Sequence, residues 1–154
     1  MKTDSSLTPA PSIPSREKAE ILLRGALSKK ATDPVLLRLE PLTTLTDYFL
    51  IVSARSARQV KAIADAVLET AREHNILRLS AEGIGQSNWA LLDFGDVVVH
   101  VFHTPLREFY DLEGLWAEAK RERFSGDLAR EIEAALETSD EEEQEILETG
   151  DPVE

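Results

Sequence analysis

From Ser15 the apolar positions Ala19, Leu22, Leu23, Ala26 and Leu27 recur at the three- and four-residue spacing of a helix with one buried stripe, and Lys29-Lys30 follow at its negative end. Ser15 stands where it could cap that helix. After Pro34, Val35 to Leu39 and Thr46 to Ser53 are rich in β-branched and aromatic residues, and they predict two strands joined through Glu40-Pro41-Leu42. Ser56 followed by Gln59 has the spacing of a capping box, and Val60, Ile63, Ala64, Val67, Leu68 and Ala71 then carry a second amphipathic helix to His74-Asn75.

The pattern then changes period. Leu77 to Ala81 alternates as a half-buried strand does, Glu82 to Asn88 is a loop, and Trp89–Phe94 and Val97–His103 are strands around Gly95-Asp96, a two-residue link that predicts a hairpin. Thr104-Pro105 opens a third helix, with Phe109, Leu112, Trp116 and Ala119 along one face to about Phe124. Gly114 inside it costs about 1 kcal/mol relative to alanine. Leu128, Ile132, Ala135 and Leu136 suggest one more helix before the acidic run from Ser139. This order predicts an α/β fold with a mixed sheet of about five strands flanked by helices. The expected organisation is a Pro/Ser-rich flexible leader over residues 1–15, one domain over 16–124, and a C-terminal helix with an acidic tail over 125–154.

The formal net charge of −12 sharpens that division. From Thr138 onward there are eight acids and no base, which leaves 21 acids against 17 bases before it, so the body is close to neutral. Such a body is expected to bind little nucleic acid directly, because counterion release needs clustered bases, and Arg55, Arg58 and Lys61 read as a solvated face. With no cysteine, thiolate zinc sites and a cysteine nucleophile are excluded. Neither a membrane span nor a secretory signal is visible, so a cytoplasmic location is expected.

Leu91 to His103, LLDFGDVVVHVFH, is where chemistry could hide. On a strand, His100 and His103 point to opposite faces and cannot share a metal, and His100, on one face with Val98 and Phe102, is expected to be buried against a helix. Asp93 and Asp96 flank the turn, where aspartates accept backbone hydrogen bonds, and no acidic-x-acidic triplet offers a two-metal site. We therefore expect no catalytic residue, metal or cofactor. The remaining signal is aromatic: Trp89 opens a strand, and Tyr110 lies about 100° round the helix from Phe109. Both are either core or rim aromatics, or an exposed pair ringed by Asp93, Asp111 and Glu113 that would suit a basic protein partner.

Five linked motifs carry a resemblance. Leu45 to Val52, Ser56 to Asp65, Glu82-Gly83 with Trp89, Leu92 to Phe102 and Tyr110 to Trp116 closely resemble, in order and spacing, the ribosomal silencing factor (Iojap-related) family over about residues 16–120. The resemblance implies a nucleotidyltransferase-like topology without the catalytic residues, and no enzymatic activity. It also implies binding to protein fourteen of the large ribosomal subunit, which blocks association with the small subunit and represses translation. The chain would act as a monomer on the ribosome and could pair with a second copy when free. Carried over residue by residue, the partner-facing aromatics are Trp89 and Tyr110, with Leu91 and Leu106 as apolar neighbours and Asp93, Asp111 and Glu113 as acidic ones. Alternatives are a large-subunit assembly factor, or a divergent nucleotidyltransferase using Asp47, Asp93 or Asp96.

Overall fold

The computed structural model describes residues 13–85 and 87–149, with the side chains of 138–149 left aside. The leader therefore lies almost wholly outside the described residues. The elements are α1 (Ser15–Leu27), β1 (Thr32–Arg38), β2 (Tyr48–Ala54), α2 (Ala57–Glu73), β3 (Ser80–Glu82), β4 (Trp89–Asp93), β5 (Val97–His103), α3 (Thr104–Tyr110), α4 (Leu112–Leu115), β6 (Lys120–Glu122) and α5 (Gly126–Thr149). No helix among them is long and apolar enough to cross a membrane.

Six strands form one mixed sheet in the order β3-β4-β5-β2-β1-β6. Only β2 and β5 pair in parallel, from Tyr48↔Val97 to Ala54↔His103. A parallel pair needs a crossover, and here it runs through α2 and the β3-β4 excursion before the hairpin returns the chain as β5. The two strands are buried on both faces, which explains their near-continuous apolar sequences.

One face is sealed by α1 and α2. Leu22 and Leu23 of α1 and Val60, Ile63 and Val67 of α2 pack, fully buried, with Leu50, Val52, Val99, Val101 and Leu92 of the sheet. Each such side chain contributes about 1.5–3 kcal/mol of transfer free energy. The other face holds a smaller cluster of Leu37, Leu39, Ile51 and Phe102, against which Val35, Phe49, Trp89, Leu106, Leu112 and Trp116 are only partly buried.

The hairpin, α1 and α2 match the sequence pattern; other elements differ. Gly95 takes φ +91° in the β4-β5 turn, and Asp93 Oδ1 accepts its N–H at 2.8 Å. Ser15 is the first helical residue and caps nothing, since Pro14 occupies the cap position without a side-chain bond. The strand expected at Leu77–Ala81 begins at Ser80, leaving Leu77 and Leu79 exposed. The count of about five strands rises to six, because the third predicted helix stops at Tyr110 and its distal part supplies β6 against β1. The acidic run does not interrupt the last helix, whose backbone continues to Thr149.

Gln59 does more than the capping box required. Ser56 Oγ accepts its N–H at 3.1 Å, its Oε1 accepts the Arg55 N–H at 2.6 Å, and its Nε2 donates to the Lys29 and Lys30 carbonyls at 3.0 and 3.1 Å. It thereby satisfies carbonyls just beyond the end of α1 from the start of α2. Replacing Gln59 with Leu is expected to cost about 1–3 kcal/mol, against about 1 kcal/mol for Ser56→Ala. Urea midpoints of the two variants check the order.

Candidate functional site

On β4 the period of two turns Trp89, Leu91 and Asp93 to the less covered face. Their cross-strand partners on β5 are Phe102, His100 and Val98. The Trp89 ring stacks on Phe102, with centroids 4.7 Å apart and planes 28° from parallel, and its Nε1–H donates to His100 Nδ1 at 3.2 Å. His100 is 3 % exposed. Rings rather than a helix enclose it: Phe49 meets its ring edge-on at 4.4 Å, with Trp89 and Phe102 at 5.9 and 6.0 Å.

Tyr110 reaches the same spot from α3. Its ring lies 5.0 Å from that of Trp89, so the two aromatics, 21 positions apart in sequence, form one contact. Phe109, expected on the buried stripe, is instead 77 % exposed and stands edge-on to Tyr110 at 5.1 Å. Sequence reasoning placed it in the core because Phe109, Leu112 and Trp116 fit one continuous helix. The helix is not continuous. Asp111 adopts φ +48°, ψ +59°, ending α3, and its Oδ1 accepts the Gly114 N–H at 3.0 Å to start α4. A Cβ on Gly114 would lie 2.2 Å from Asp111 Oδ2, so the residue that looked like a weak point in a long helix is what lets the cap close.

Arg107, 9 % exposed, anchors α3. Its Nη1 donates to the Asp33 carbonyl at 2.7 Å and to Ser53 Oγ at 2.8 Å, while Nη2 pairs with Glu113 at 2.8 Å. Burial by itself would raise the Glu113 carboxyl; hydrogen bonds and charge from Arg107, with Arg121 beyond, outweigh it and hold the carboxyl below its ordinary range. Asp33 can offer its carbonyl because β1 is bulged there: it has φ +51°, precedes Pro34, and lies where the register with β2 shifts.

The expected site residues thus fall into three groups. Trp89 and Tyr110 meet, and Leu91 and Leu106 lie partly buried on the same face. Asp93, Asp111 and Glu113 are already engaged, with the hairpin turn, the α4 cap and Arg107 respectively. The carboxylates considered for nucleotidyl transfer do not all converge: Asp47 donates its N–H to the Asp96 carbonyl at 3.0 Å and Asp96 binds Lys18 of α1 at 2.6 Å, while Asp93 is on the aromatic side. No group of three His, Asp or Glu among the described residues has metal-holding geometry. A groove of about 960 Å³ between α1 and α2, lined by Ile21, Gly25, Ala66 and Thr70 among others, is lined by none of these residues.

Fold and site together define a small mixed-sheet α/β domain, closed by helices on one side of the sheet and carrying an aromatic patch on the other. A family described as "Ribosomal silencing factor during starvation" matches residues 12–150, and the chain belongs to the ribosomal silencing factor family. It is 38 % identical over 111 residues to the ribosomal silencing factor of Halalkalibacterium halodurans, covering 72 % of this chain and 95 % of that one. A crystal structure of a Chromobacterium violaceum protein superposes with a TM-score of 0.67 at 31 % identity, covering 73 % of this chain and 93 % of the other. The mouse protein named for mitochondrial assembly of the ribosomal large subunit is 28 % identical over 118 residues, covering 73 % of this chain and 52 % of that one. The chain's role is therefore tied to the ribosome and to regulation of translation.

Burial lowers the His100 pKa from 6.5 to about 4, so the unfolded chain takes up this proton at a higher pH than the folded one. The stability associated with the neutral ring is complete above the unfolded value and is lost as pH falls toward the folded value. Unfolding free energy should drop by about 2 kcal/mol from about pH 7.5 to about pH 5, and His100→Leu should lose that part of the slope. Denaturant titrations across the range measure it. Arg107→Ala leaves the Glu113 carboxylate without its partner and frees α3, and is expected to cost about 3 kcal/mol in the same assay.

Proposed function

We propose that this protein is a non-enzymatic translation repressor that binds the large ribosomal subunit through its ribosomal protein fourteen and sterically blocks association with the small subunit. One observation carries the reading: two elements distant in sequence bring Trp89 and Tyr110 within 5.0 Å on the less covered sheet face, with Phe109 edge-on and exposed beside them. Clustered aromatics that keep one face accessible have the character of binding anchors, because their rings bury large area while ordering few torsions. Leu91 and Leu106 would line the anchor pocket. Asp93, Asp111 and Glu113 would supply a rim in which hydrogen bonds within the domain already hold the carboxylates, so their share of affinity is small and their effect falls on the association rate. The protein would need no cofactor, act in the cytoplasm, and bind as a monomer.

A second reading, an assembly factor acting on the same surface of the immature large subunit, is favoured by the name of the mouse relative. Light scattering of purified subunits joining separates the two. Wild type should suppress joining and the Trp89→Ala/Tyr110→Ala double variant should not. Each single variant should lose about 30-fold or more in affinity for the large subunit, the equivalent of about 2 kcal/mol or more. If a folded wild type leaves joining unaffected, the assembly reading replaces the repressor; if a folded Trp89→Ala binds normally, the aromatic site is wrong.

A further inference from the structure

We infer that His100 is the positioning residue of the aromatic face: it fixes the orientation of the Trp89 indole against Tyr110. The inference deepens the recognition reading above and rests on it for its functional consequence. Trp89 Nε1 can only donate, so Nδ1 of His100 must be the accepting nitrogen, and a neutral imidazole then carries its proton on Nε2. That Nε2 is buried and has no hydrogen-bond partner among the described residues. A buried orphan donor is unfavourable, and an aliphatic side chain of similar volume would avoid it.

The packing of this position thus gives no reason for a histidine, whereas the bond to Trp89 does. His100 is placed to hold its partner still. It sits in the central strands, with Ile51 of β2 on one side and Leu91 of β4 on the other, and Phe49 and Phe102 flank its ring. Trp89, by contrast, opens the strand after the loop and is half-buried. Without an acceptor beneath it, the indole could turn its N–H toward water and leave Tyr110. Ordering it again on binding would then weaken association, and a preformed hydrogen bond removes that loss.

The test compares wild type with His100→Leu, which removes the acceptor, and His100→Asn, whose amide oxygen can take the place of Nδ1. Three quantities are read: the proton–nitrogen NMR resonance of the Trp89 indole, the thermal midpoint, and affinity for purified large subunits. In His100→Leu the indole resonance should move upfield, the midpoint should stay level or rise, and affinity should fall about tenfold. His100→Asn should restore part of the resonance shift and of the affinity. An unmoved indole resonance, or a moved one with unchanged affinity, overturns the inference. So does a leucine variant that fails to fold or loses stability in step with affinity, because His100 is then a structural residue. A wild type that does not bind large subunits refutes the recognition reading instead, and the positioning of Trp89 is then decided by resonance and midpoint alone.

Discussion

The parallel pairing of β2 with β5 is the constraint from which the other arrangements follow. It demands a long connection, and α2 supplies the element that crosses the sheet while burying Val60, Ile63 and Val67. Its register also sorts the side chains. Leu50, Val52, Val99 and Val101 go to the helix-covered face, and Phe49, Ile51, His100 and Phe102 to the other. A slip of one residue would exchange the two sets, so the same pairing that builds the main core also builds the aromatic floor.

The two faces are then closed unequally. One receives α1 and α2, of 13 and 17 residues, with Leu128 of α5 buried beside them, while the other receives the seven residues of α3 and the four of α4. The short pair is not held by apolar area alone. Arg107 fastens it through Ser53, the Asp33 carbonyl and Glu113, a set that satisfies a buried guanidinium within a few ångströms. Because this cover is small, Trp89 and Tyr110 stay at its margin, accessible but supported from below by Phe102 and His100. The two rings are thus carried by a strand and a helix rather than by a loop.

Much of this was visible in the residue pattern. The apolar stripes of α1 and α2 and the hairpin around the Gly95-Asp96 turn rest on local periodicity and backbone freedom, and they appear where the sequence places them. So does the separation of His100 from His103, since a strand cannot turn two side chains three apart to one face. The linked motifs also indicated the family. Missed were Phe109 at the surface, the break at Asp111, the strand Lys120–Glu122 and the exposure of Leu77 and Leu79. The strand depends on β1, a partner far away in sequence, whereas the break at Asp111 is closed locally, by the cap on Gly114. Residues 104–124 have a helical period, yet β1 offers an unpaired edge that β6 takes, and Arg107 needs Glu113 folded back toward it.

Sequence alone therefore determined which side chains share a side of each element, because periods of 2 and 3.6 are properties of the local backbone. Which of those sides is buried was decided by the tertiary structure. Phe109 and Tyr110 face outward because long-range hydrogen bonds of Arg107 set how α3 sits on the sheet, and Trp89 is held because β4 and β5 pair in the register that brings His100 beneath it.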